Sequence, residues 1–348
     1  MKRKIGFEYL RIISMLLIIG NHFWLFMEVL DKAKPFTFNF YLVWILQAIG
    51  TLGTNCFILI SGYFGVESTI TWKKVARLYG EVLFYSIILY LFSVIVNNDA
   101  FLFSDFAKAL LPFSSREYWF ITDYIGLYVL SPFINILLKN LDKKQFQKFI
   151  LVGLILFSLM DTLPGDALNA QKGYSLYWLV CVYCIGAYLR LYGLSITVKK
   201  YIVIGCGSIA IMYVTKIIGT FLAINVSPVF MGYSEIFFSH SSIFVLIAAV
   251  ALFMLLKDMN NTGGIIQKIV LKISPLTFGV YLIHMNPSFA ASYWKRLKQI
   301  IDINNTTIFL WFIIVTVAIY VICTAIDGIR YFVVCYIKNS VCVRRNNV

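Results

Sequence analysis

Charge is scarce in this sequence. Only 13% of its 348 residues are Asp, Glu, Lys or Arg, against about a quarter in soluble domains. There is no internal repeat, no low-complexity tract and no long polar insertion. No soluble catalytic domain is expected, and any chemistry is expected to come from apolar segments and the short loops joining them. The Walker phosphate loop, the GxSxG nucleophile elbow and the HExxH zinc helix are all missing. Those absences exclude the reaction classes that depend on each motif.

Cysteine does not make a disulfide framework. Of seven cysteines, Cys56, Cys181, Cys184, Cys206, Cys323 and Cys335 lie within or beside apolar runs, and Cys342 falls in a basic tail. Cys181 and Cys184 form a CxxC, but without the second pair that a closed zinc site needs. No metal site is expected.

What is abundant is apolar surface. The chain is 60% hydrophobic and 17% aromatic, with mean hydropathy +0.83. Such a chain has lipid as its solvent. The first apolar run is too long for a cleavable signal peptide and no small-residue cleavage site follows it, so an uncleaved first span is expected. A net charge of +14 raises the question of nucleic acid. The basic residues cluster at the ends of apolar runs, as the positive-inside rule predicts. Anionic lipid and a phosphorylated donor are the expected partners, not nucleic acid.

At about 20 apolar residues per crossing, the sequence reads as an all-α polytopic membrane helical bundle, one domain over 1–348 with a basic tail at about 337–348. The expected spans, about ten, are 5–29, 40–64, 78–96, 118–138, 149–163, 174–191, 201–222, 237–256, 275–292 and 307–326. An interfacial helix is expected around 106–111. Loops 65–77, 139–148 and 194–200 and both termini are basic, which puts them in the cytoplasm. One loop departs from the rule: Lys295, Arg296 and Lys298 fall on the expected outside. The Lys-, Ile-, Phe- and Asn-rich usage is compatible with a low-GC bacterium, hence a bacterial cytoplasmic membrane.

The first span carries the candidate chemistry. Arg11 and His22 are 11 residues apart, which returns to within about 20° of the same helix face and separates them by about 16.5 Å. Glu8 precedes Arg11 at i,i+3, within reach of it. Charges in hydrocarbon are costly and normally face the protein interior. Arginine suits phosphate, and a neutral imidazole can accept a proton. Two readings stand: an ion pair with a core histidine, or an anion anchor with a base deeper in the membrane.

His284, with Tyr281 at i,i+3, is expected near the middle of the ninth span, either closing a helix–helix hydrogen bond or serving the site. His240, among serines, is expected to be a solvated cap. Lys73, Lys74 and Arg77 either fix topology or bind a phosphorylated ligand from the cytoplasm. Gly62 allows a backbone or ligand to come close to Ser61. Trp119 and Tyr124 by default belong to an aromatic belt.

These residues also carry a resemblance. Glu8-Tyr9-Leu10-Arg11, ten residues and then His22, is similar to the first-helix signature of the acyltransferase-3 family of membrane acyltransferases. Phe57 to Phe64, Tyr118-Trp119-Phe120 leading to Tyr128 and Pro132, and Ser274 to His284 are similar to further segments of that family, in the same order. Ten spans are its usual core. The resemblance implies transfer of an acyl group, usually acetyl from acetyl-CoA, to a hydroxyl of a cell-surface polysaccharide or lipid-linked sugar. It implies catalytic roles for Glu8, Arg11 and His22, with His22 as general base. Arg11, Lys73, Lys74 and Arg77 would meet the donor, which is a substrate and not a bound cofactor. Ser61, Trp119, Tyr124, Tyr281 and His284 are the candidates for substrate contact. The family often has two arginines where this chain has Lys74 and Arg77, and lysine lacks the bidentate fork. A transporter or flippase for an anionic or lipid-linked sugar is the rival reading. Against it, no paired halves with broken spans are visible.

Overall fold

A computed structural model describes residues 3–69, 71–97, 100–116, 118–163, 168–260, 263–303 and 305–345. Met1 and Lys2 of the basic N-terminal flank lie outside the described residues, as does the side chain of Cys342 in the tail. Apolar runs without interior breakers become helices. The first two spans are α1 (Ile5–Phe26), α2 (Phe38–Gly50) and α3 (Leu52–Gly65), the last two joined through Thr51. They are followed by α4 (Trp72–Asn97), the short amphipathic α5 (Phe103–Leu110), α6 (Trp119–Asn140) and α7 (Lys143–Leu154). Next come α8 (Leu176–Leu191), α9 (Val198–Asn225) and α10 (Ile243–Leu256). The chain closes with α11 (Ile265–Ile273), α12 (Thr277–His284), α13 (Pro287–Ile300) and α14 (Ile308–Arg345). No strand occurs among the described residues. Among the described residues, eight helical segments are long and apolar enough to cross a membrane, and α8 and α10 are shorter apolar helices. The fold is an all-α polytopic membrane bundle.

Side chains set the helix starts. Thr37 accepts from Phe40 N at the head of α2, and Asp142 with Gln145 closes a capping box on α7. Ser175 and Ser242 cap α8 and α10. The outward faces stay apolar: Phe133, Ile136, Val203, Ile218, Phe332 and Ile329 are exposed, as suits helices facing lipid. α3 and α8 sit backbone to backbone. A Cβ on Gly62 would collide with the carbonyl of Tyr183, and one on Gly186 with that of Leu59. The close approach that Gly62 permits is thus made by a helix backbone.

Several boundaries differ from the sequence reading. α1 ends at Phe26, and Glu28 takes a left-handed φ of 57° before a separate short helix, Val29–Lys32. α4 begins at Trp72, so Lys73, Lys74 and Arg77 sit on its first turns and not in a loop. Lysine and arginine are good helix formers whose stems lie along the helix while the charge reaches water. α10 starts at Ile243, which leaves His240 in the segment before it. The ninth span does not run to residue 292: Pro287 forces Asn286 into extended backbone, α12 stops at His284, and Asn286 caps the separate α13. α14 runs on through the basic segment to Arg345.

Candidate functional site

The N-terminal end of α1 holds a charged cluster. Glu8, 3% exposed, accepts from Arg3 Nε at 3.0 Å, from Arg11 at 2.8 Å and from Ser274 Oγ at 2.7 Å. The pairing of Glu8 with Arg11 expected from their spacing is present, with Arg3 and Ser274 as added partners. Arg11 spends one guanidinium N–H on Glu8 among the five it carries.

Arg3 and Arg11 line one end of a cavity of about 580 Å³. From there it runs between α1, α3, α6 and α12, past Ser61, Tyr124 and Tyr128, to Ile18 and Tyr281. Ser61 Oγ and Tyr124 Oη are 3.2 Å apart, and the Phe120 ring lies between Tyr124 and Tyr281 at 5.7 and 5.3 Å. The structure therefore gathers Arg11, Ser61, Tyr124 and Tyr281 around one space. Lys73, Lys74 and Arg77 are exposed at the same end of the bundle and are not among the lining residues. Lys74 Nζ donates to Thr69 O at 2.9 Å.

Beyond Tyr281 come the histidines. The Tyr281 and His284 rings meet edge to face at 5.7 Å. His284 is 1% exposed, and its Nδ1 is 2.8 Å from the carbonyl of Val280. A carbonyl only accepts, so His284 Nδ1 carries the hydrogen. In a neutral ring that leaves Nε2 as an acceptor. His284 Nε2 lies 3.1 Å from Nδ1 of His22, which must then be the donor. These partners assign His22 its Nδ1–H tautomer and leave its Nε2 with a free lone pair. His22 stands one turn, about 6 Å, beyond Ile18. His284 belongs here because α12 ends on it, with its own carbonyl taken by Tyr293 Oη at 2.9 Å. The helix–helix hydrogen bond expected of His284 is present: it ties α12 to α1 through His22.

The structure corrects the reading of His240 as solvated. It is 6% exposed, stacked on Trp119 at 6.1 Å and met edge-on by Tyr174 at 4.9 Å. Its carbonyl accepts from Asn55 Nδ2 at 2.9 Å. Burial lowers its pKa to about 4, so the ring is neutral near pH 7. His240 and His284 are both near enough to His22 to act on it electrostatically. His22 and His284 are thus in contact, and His240 lies at the same end of the bundle. Trp119 belongs to this end of the bundle and not to the arginine-lined cavity. Asp123 is paired with Arg116 at 3.4 Å.

Sequence reasoning missed a second buried network. Asp327 on α14, 1% exposed, accepts from Tyr85 Oη at 2.7 Å and Arg330 Nε at 2.6 Å, and Arg330 donates to Glu81 at 2.7 Å. The Asp327 carboxyl presses on Gly279 of α12, where a Cβ has no room. The signal was there: a carboxylate inside an apolar run is costly unless it is paired. Asn286, which donates to Tyr118 Oη at 2.8 Å, was also legible as an Asn-Pro break.

Fold and site together define a multi-pass membrane protein whose polar centre lies between its spans. A family model for an acyltransferase domain matches residues 4–327. The chain belongs to the acyltransferase-3 family and is a membrane acyltransferase. No curated protein and no solved structure matches it.

Proposed function

We propose that the chain is an O-acyltransferase that moves an acyl group, acetyl in the simplest case, from acyl-CoA to a hydroxyl of a cell-surface polysaccharide or lipid-linked sugar in a bacterial cytoplasmic membrane. The single observation that carries this reading is the relay from the Val280 carbonyl through His284 to His22. It leaves a lone pair on His22 Nε2 one turn beyond a cavity whose far end holds two arginines.

In this reading acyl-CoA enters from the arginine end, taken as cytoplasmic from the positive-inside rule. Its phosphates meet Arg11 and Arg3, and Lys73, Lys74 and Arg77 attract them from outside the cavity. The acyl chain points towards Tyr281. His22 Nε2 takes the proton of the acceptor hydroxyl as its oxygen attacks the thioester carbonyl carbon. The C–S bond then breaks, and the imidazolium returns the proton to the CoA thiolate. His284 Nε2 accepts from His22 Nδ1–H throughout and steadies the transient positive ring, the role of the third group in a triad. General-base help is worth roughly 10²–10⁴-fold, and positioning supplies the rest.

The test is incubation of purified protein with radiolabelled acetyl-CoA and candidate surface glycans. Label on the glycan supports the reading. Glycan crossing a liposome membrane without acylation supports the transporter instead.

A further inference from the structure

A second cavity, of about 950 Å³, opens at the opposite end of the bundle from Arg3 and Arg11. Asn21 of α1 lines it, one residue before His22, and so does His240. Two properties of its wall point to a ligand.

First, it contains buried polar atoms with nothing to bond. Gln47, 9% exposed, and His240, 6% exposed, both line the cavity. Gln47 Oε1 and His240 Nδ1 have no hydrogen-bond partner. An unpaired buried polar atom costs free energy unless something that can hydrogen-bond fills the space beside it. Second, the wall combines aromatic faces with fixed polar groups. Tyr174 and Tyr233 are partly open, and Trp44 is held rigid by the ammonium of Lys216 3.7 Å from its ring centroid. Lys216 is 3% exposed and pairs with Glu235 at 2.6 Å. Asp161 is pinned by Ser241 Oγ and by Lys172 N.

The charge of this wall selects the ligand. Asp161, Glu235 and Lys172 line it, and Lys216 behind the wall is paired with Glu235, so the charges balance. Among the lining residues only Lys172 offers a cation to a phosphate or uronate. A ring with an apolar face and several hydroxyls fits both properties: the face lies on an aromatic side chain, and the hydroxyls bond to Gln47 and His240.

We propose that this cavity is the docking subsite for a neutral sugar unit of the acceptor, held by Gln47, His240 and the aromatic wall beside His22. The inference rests on the acyltransferase reading for the word acceptor, and on the cavity alone for the sugar. A neutral unit docked beside Asn21 and His240 lies next to the α1 turn that carries His22, so a hydroxyl can be presented to Nε2 while acyl-CoA occupies the other cavity.

The experiment is saturation-transfer NMR on the full-length protein in detergent. The neutral probes are oligomers of glucose, galactose and N-acetylglucosamine, and the anionic probe is an oligomer of galacturonate. Acetyl-CoA binding is measured in parallel. Transfer to at least one neutral oligomer is expected, at least tenfold weaker in Gln47→Leu and in Tyr233→Ala, and unchanged in Arg11→Ala. Tyr233 is exposed, so its variant keeps the test valid if Gln47→Leu fails to fold. Transfer to galacturonate alone, no transfer to any neutral oligomer, or equal transfer in wild type and both variants overturns the proposal. Acetyl-CoA binding without sugar binding removes the subsite and leaves the acyltransferase reading standing. Sugar binding lost in the variants, with no acetyl-CoA binding, supports the subsite and counts against that reading.

Discussion

Nδ1 of His22 on α1 and Nε2 of His284 at the end of α12 lie 3.1 Å apart, although 262 residues separate them. The pairing makes His22 depend on His284 for its tautomer. His284→Ala is expected to lower kcat roughly 10²-fold, the lower end of what a general base supplies, while the KM for acyl-CoA changes little. His284→Gln, which restores an acceptor, is expected to recover part of it. A thermal melt run beside the assay separates the two roles. If activity falls only in proportion to folded protein, His284 is a packing residue.

Arg11 lines the cavity proposed for the donor, with most of its guanidinium hydrogens unspent. Arg11→Ala is expected to raise the KM for acyl-CoA about tenfold, the effect of one charge-assisted contact, and Arg11→Lys to rescue it partly. Steady-state kinetics with varied donor decides. Identical KM values in all three proteins would make Arg11 only a partner of Glu8.

His240 gives the fold a pH dependence. Its folded pKa, lowered by burial to about 4, lies below the ordinary value of about 6.5. Between those values the unfolded chain binds the extra proton, so stability falls as pH drops through 6.5, and this loss stops growing below about 4. The groups packed on the ring are Trp119 and Tyr174, which do not titrate in that range; His22, which interacts with it electrostatically, is present in both proteins compared. The melting temperature of wild type is expected to fall more steeply from pH 7 to pH 5 than that of His240→Gln. Parallel slopes would show that His240 is not the titrating group.

Gly62 and Gly186 set the α3–α8 crossing. Gly62→Ala pushes a methyl group against the Tyr183 carbonyl. It is expected to cost about 1–3 kcal/mol, as overpacking does, and to disturb the neighbouring Ser61. A melting curve indistinguishable from wild type would mean that the two helices can move apart freely.

Much of this was legible in the sequence, for physical reasons. Apolar length fixes a membrane helix almost by itself, so the bundle could be read directly. Helical periodicity paired Glu8 with Arg11. What could not be read was which distant residue meets which. Nothing local says that the end of α12 reaches His22, and the Asn286-Pro287 break was the only clue that His284 terminates a helix. His240 was misread because serines around a histidine look like a solvated cap, whereas Trp119 and Tyr174 arrive from elsewhere in the chain to cover it. The lysines at 73 and 74 were placed in a loop because charge marked the boundary, although lysine is a good helix former.

The central claim is that an acyl group passes from a donor at the Arg11 end to a hydroxyl at the His240 end, with His22 taking the proton of that hydroxyl. Protein reconstituted in liposomes, with radiolabelled acetyl-CoA on the Arg11 side and acceptor glycan on the other, tests it directly. Wild type should label the glycan across the membrane, and His22→Ala, inserted and binding donor as before, should lose at least about 10²-fold. Glycan labelled by His22→Ala at more than about a tenth of the wild-type rate, a shortfall well inside that factor, or glycan crossing unlabelled, would contradict the account.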